Sequence, residues 1–200
     1  REEEWRFTPL RRFAPLLQLD TLVADDAPSS PLTVTADVPS GATVERVGRD
    51  DPRLGTVGAP VDRAGVTAWA AFATATVVTL AAGARPARAV RLSVTGRDRD
   101  AAADATGAHA PVAQHVLVQA QAGSRGTVIL DHTGTAALTQ TVEVTVAEGA
   151  DLTLVTVRGW DPGAVHATNH RVRVEGLGSL KHVVVSLGGD VRICPDLGFG

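Results

Sequence analysis

The chain has 200 residues, of which 44% are hydrophobic and 20% charged. That balance excludes a disordered chain and lets roughly 70% of the unfolded surface be buried in one domain, or one domain with an extension. A net charge of −3 and a pI near 6.1 supply no global basic field for nucleic acid or acidic lipid, and a lone cysteine, Cys194, excludes an intrachain disulfide framework and any all-cysteine metal cage.

The chain opens Arg1-Glu2-Glu3-Glu4-Trp5, without the apolar region of a signal peptide. With no methionine, it reads as a trimmed chain or a fragment. Trp5, Leu10, Phe13, Leu16 and Leu17 fall at helical spacings that Pro9 and Pro15 cut into short pieces. Asp25 to Asp62 is proline-rich and loop-like, so residues 1–65 are expected to form a small irregular or helical segment. Trp69 to Leu80 begins with helix formers and ends β-branched, predicting a short helix running into a strand. Val66 to Ala82 is uncharged but mostly Ala and Thr, short of the ~20 strongly apolar residues of a membrane span. A soluble, cytoplasmic protein is expected.

From Val90 onward, period-2 alternation ends repeatedly at glycine. The runs are Val90–Gly96, Val116–Gly123, Val142–Gly149 and Val172–Gly176, starting 26, 26 and 30 residues apart. Second runs follow at Thr127–Leu130, Leu152–Val157 and His182–Leu187. Short strands recurring as pairs bury a face only by stacking coil on coil. Residues 66–200 are therefore predicted to form a right-handed parallel β-helix, incomplete at its C-terminal end. A β-sandwich of hairpins remains the alternative at this spacing, while the six-residue aliphatic period of a left-handed β-helix is missing.

The soft ligands are His109, His115, His132, His166, His170, His182 and Cys194. His166 and His170 have the spacing of a helical metal pair, but their neighbours read as a turn between strands with solvated or backbone-bonded imidazoles. His182 and Cys194 are the candidate metal or persulfide pair, against the plainer reading of Cys194 as a small buried hydrophobe. Asp131-His132-Thr133 invites a triad, but neighbours on a strand point apart, and a turn capped by the aspartate is expected instead. Arg97, Asp98, Arg99, Asp100 and Asp104 form a mixed-charge insertion, read as a solvated loop. Trp69 and Trp160 are expected to pack. No phosphate-binding GxxxxGK[ST] loop is present, so any ATP hydrolysis would fall to a partner.

Four segments carry a family resemblance. Glu3-Glu4-Trp5-Arg6-Phe7-Thr8-Pro9-Leu10, Val128-Ile129-Leu130-Asp131-His132-Thr133-Gly134, Gly159-Trp160-Asp161 through His166, and Leu180-Lys181-His182 through Asp190 together resemble the SufB/SufD family, and its SufD branch in particular. The resemblance implies a β-helical subunit of the SUF iron–sulfur cluster assembly complex, partnered by a SufB-like subunit and a SufC-like ATPase. It implies subunits about twice this length, with later coils and a helical C-terminal region beyond this chain. No cofactor is expected to be held firmly by this chain, with an iron–sulfur cluster arising at the level of the complex. An open solenoid end could also pair with a second copy. A non-catalytic scaffold is thus expected. A β-helical polysaccharide lyase or hydrolase is the alternative, disfavoured by 4% aromatic residues and no tyrosine. A purely structural β-solenoid is a third reading.

Overall fold

The computed structural model describes residues 10–97 and 110–199, with side chains to residue 194. Trp5, the Glu3-to-Pro9 part of the first resembling segment, and Asp98 to His109 of the insertion lie outside the described residues. The chain is mainly β, built as two sheets of largely parallel strands.

The N-terminal segment, expected to be irregular or helical, begins with short helical pieces and then contributes strands to both sheets. A single helical turn, α1 (Leu10–Phe13), passes into 3-10 turns at Ala14–Leu17 and Leu19–Thr21, and Phe13 and Leu16 pack with Ala64 and Ala167. Three strands follow before residue 50: β1 (Val23–Ala24), β2 (Thr33–Asp37) and β3 (Ala42–Gly48). The helix expected from Trp69 onward is α2 (Arg63–Ala71), which starts six residues earlier and shares only residues 69–71 with the expected stretch. Asp62 caps it by accepting from the Gly65 amide at 2.9 Å, which satisfies one of the otherwise unpaired first-turn donors. The helix runs into β4 (Thr74–Leu80). Eight more strands complete the fold: β5 (Val90–Thr95), β6 (Val112–Ala120), β7 (Arg125–Gly134), β8 (Ala137–Val146), β9 (Asp151–Trp160), β10 (Val165–Val174), β11 (Ser179–Ser186) and β12 (Asp190–Phe199).

Successive strands from β4 onward alternate between the sheets. Sheet A has the order β12-β10-β8-β6-β4-β3, with β1 also beside β6, and sheet B the order β11-β9-β7-β5-β2. All pairings among β4 to β12 are parallel, whereas β3–β4 and β2–β5 are antiparallel. β1 pairs with Val112 and Ala113 of β6, the stretch that β4 does not reach. Paired positions step by 26, 28 and 25 residues from β6 to β12, and by 26 and 28 from β7 to β11.

Two expectations need correction. The Val90 run was aligned with the Val116 and Val142 runs, yet Val90 pairs with Val128 in sheet B, while β6 pairs with β4 in sheet A. The 26-residue step from Val90 to Val116 is therefore coincidental: it joins strands of different sheets. The strands are also longer than the alternating runs suggest. β7 to β10 each span 10 residues, because their inward positions continue as polar side chains that an apolar pattern does not register.

Between the sheets, inward side chains form a continuous apolar core. It includes Val78, Val116, Val142 and Val172 from sheet A and Val90, Leu92, Val128, Leu130, Leu152 and Leu154 from sheet B. Each such side chain contributes about 1.5–3 kcal/mol by leaving water. The turns after β4, β6 and β8 place Gly83, Gly123 and Gly149 at φ +66°, +66° and +64°, where a Cβ would be strained. In the equivalent turn after β10 that left-handed position falls to Leu177, at φ +57° and 89% exposed.

Candidate functional site

The two faces of sheet A have different chemistry. Its outer face lies under α2 and the loop before it, and it is held there by polar contacts. Asn169 donates to Asp62 at 2.8 Å, Arg171 donates to the Gly58 carbonyl, and Glu143 accepts from the Gly55 amide at 2.8 Å and meets His115 Nε2 at 2.9 Å. His115 also stacks on Phe72 and takes the edge of Trp69, with ring centroids 4.6 and 5.2 Å away. These groups fasten a layer, and His115 belongs to it.

The inner face carries the candidate site. Period-2 alternation sends Gln114, Gln140, His166, Thr168 and His170 inward from sheet A, and His132, Arg158, Trp160 and His182 inward from sheet B. All but His182 are buried. They form a polar layer between the Val and Leu core and a second buried apolar cluster that includes Val94, Val112, Leu138 and Ala164. Hydrogen bonds and ring contacts link most of them into a column. Arg46 makes a two-pronged contact to buried Asp25 at 2.9 and 2.8 Å, and Gln114 donates to Asp25 at 3.0 Å. Gln140 Nε2 donates to Gln114 at 2.6 Å and to His132 Nε2 at 3.1 Å. Farther along, Trp160 Nε1 donates to His166 Nδ1 at 3.1 Å and Arg158 Nη2 to His170 Nε2 at 3.2 Å. The His132 and His166 ring centroids are 5.0 Å apart, and His170 stacks on His182 at 4.9 Å.

The partners fix the protons. His132 Nδ1 faces the Val157 carbonyl at 3.0 Å, so Nδ1 carries the hydrogen and Nε2 accepts. In His166 and His170 the accepting nitrogen is Nδ1 and Nε2 respectively, which leaves Nε2–H on His166 and Nδ1–H on His170. Burial keeps these rings neutral. It lowers His132 to about 4 and His166 and His170 well below the usual imidazole value, with Arg158 adding repulsion in each case. Half-buried His182 is lowered by burial and by Arg158 in the same way. Burial also lowers Arg158, to about 10, so its guanidinium remains charged at neutral pH.

The sequence-predicted residues are sorted by this geometry. His132, His166, His170 and His182 come together in the interior. His166 and His170 lie within β10 and are buried, not on a solvated turn, and Asp131-His132-Thr133 lies within β7, not on a turn. Asp131 faces outward to Arg91 at 2.5 Å while His132 faces inward, so the neighbours do point apart. Cys194 and His182 are not brought together. Cys194 pairs in register with Asn169, whose side chain reaches Asp62 on the outer face of sheet A, whereas His182 stacks inside. Among the described residues no group of three or more His, Cys, Asp or Glu side chains is arranged to hold a metal ion. Asp25, Gln114, Gln140 and Arg158 were missed by sequence reasoning. Their signal was present as polar side chains at inward positions of the alternation. No described helix is long and apolar enough to cross a membrane.

Residues 102–194 match the model of the SUF system FeS cluster assembly SufBD core domain. Over 191 residues, 96% of this chain, the sequence is 34% identical to iron–sulfur cluster assembly SufBD family proteins of Mycobacterium tuberculosis and Mycobacterium bovis. The corresponding Mycobacterium leprae protein is 32% identical over the same length. The chain spans 45% of the length of each of these relatives. No solved structure is matched significantly.

Proposed function

We propose that the chain is a member of the SufBD family of iron–sulfur cluster assembly proteins, and that it is a non-catalytic scaffold subunit of the SufD kind, working in the cytoplasm. In this reading its two sheets are consecutive walls of a right-handed parallel β-helix, and it pairs with a SufB-like subunit and a SufC-like ATPase. The cluster is then the cargo of the assembly and not a resident group of this chain. The observation that carries the reading is the coincidence of the SufBD core, residues 102–194, with the stack of strands from β6 into β12.

Co-purification tests the proposal. The full-length protein, co-expressed with SufB-like and SufC-like subunits of the same source, should elute with both in fixed stoichiometry. Elution apart from both would remove the scaffold reading.

A further inference from the structure

Among the described residues, the part of the column around Arg158 has more unpaired hydrogen-bond donors than acceptors, and the Arg158 guanidinium has no anionic partner there. Arg158 is fully buried and spends one N–H on His170 Nε2, while its Nε and Nη1 groups meet no acceptor. His166 Nε2 and His170 Nδ1, the protonated nitrogens, are likewise buried without partners. Thr168 Oγ1, between those histidines on the inward face of β10, is a fifth buried polar atom without a partner. On the acceptor side only Gln140 Oε1 is unmatched among the described column residues. Asp25, the carboxylate of the column, is already engaged by Arg46 and Gln114 at the far end. Desolvation alone perturbs Arg158, with no carboxylate opposing it.

A buried charge without a counter-charge is costly, and each buried N–H without an acceptor adds to that cost. Water relieves this poorly, since each water also brings two hydrogens that need acceptors of their own. A ligand that only accepts and is negatively charged satisfies both shortages at once. We propose that the interior of the sheet stack holds a small monovalent anion of halide type, bound by Arg158 and the free N–H groups of His166 and His170, with the Thr168 hydroxyl beside it. These groups come from the inward faces of β9 and β10. It stands on side-chain chemistry alone, so it holds whether or not the scaffold reading does.

Bromide is the probe. Crystals of the full-length protein grown in sodium bromide should show an anomalous peak within hydrogen-bond distance of Arg158. In solution, replacing gluconate by chloride at constant ionic strength should raise the midpoint of thermal unfolding by roughly 2 °C or more. Arg158→Met should abolish that chloride dependence, and it should remain folded because it removes the unpaired charge together with its ligand. Three results would overturn the proposal. They are a bromide map without a peak in the column, a carboxylate from elsewhere in the protein seated on Arg158, and a chloride shift that persists in Arg158→Met.

Discussion

Acid should unfold this protein through its buried imidazoles. His132, His166 and His170 are neutral in the folded state because burial disfavours their charged forms, and His132 is lowered from 6.5 to about 4. In the unfolded chain they titrate near 6.5. Between these values the unfolded state binds more protons, so the contribution is present above pH 6.5 and lost as pH falls toward 4. Each fully buried ring gives a limiting slope of about 1.4 kcal/mol per pH unit, and three give roughly 4. Because titration near 6.5 is gradual, the first unit below it should remove about 3 kcal/mol, a large part of an ordinary domain's stability. Exposed carboxylates act lower down. Asp51, held near 2 by hydrogen bonds from Arg53, loses its contribution only below 3.8. Urea unfolding of the full-length protein from pH 7.5 to 5.0 measures the slope, and His132→Asn should reduce it by about 1.4 kcal/mol per unit. A urea midpoint that is flat from pH 7 to 5.5, or a slope unchanged in His132→Asn, would refute the neutral column.

Three further outcomes follow from single positions, each read by urea unfolding. Leu177→Gly should stabilise by about 0.5–1 kcal/mol, because it gives the turn after β10 the residue its three predecessors use at the same left-handed position, and a loss would contradict that equivalence. Gly96→Ala should destabilise by about 2 kcal/mol or more, since its Cβ would run into the backbone of Thr135; near-neutrality would mean that the chain gives way there at little cost. Trp160→Phe removes the indole donor to His166 Nδ1 and should cost roughly 1–3 kcal/mol beyond the change in packing, whereas the same loss in a His166→Leu background would show the hydrogen bond to be idle.

Legibility in the sequence tracked chemical type. The end of the helix before β4 was readable from Trp69-Ala70-Ala71 passing into Val77-Val78, though its start at Arg63 and its Asp62 cap were not, and the apolar halves of the later strands from their Val and Leu alternation. What failed was the reading of polar residues. His166-Ala167-Thr168-Asn169-His170 has no apolar period because both of its faces are buried, one against Arg158 and the other under α2. A strand covered on both sides does not alternate. The Val90 run was misaligned for a related reason: its true neighbour, Val128-Ile129-Leu130, lies across an insertion that stretches the step to 38 residues. The separation of His182 from Cys194 depends on which sheet each strand joins, and twelve residues of spacing carry no information about that.

The measurement that bears most directly on the account is reconstitution of an iron–sulfur cluster on an apo-ferredoxin, followed by visible absorbance. It would use the full-length protein with SufB-like and SufC-like subunits, ATP, iron and a sulfur source. The account predicts that cluster formation requires the complete assembly, falls sharply when this subunit is omitted, and does not occur with this subunit alone. Equal cluster formation with and without it would contradict its place in iron–sulfur assembly.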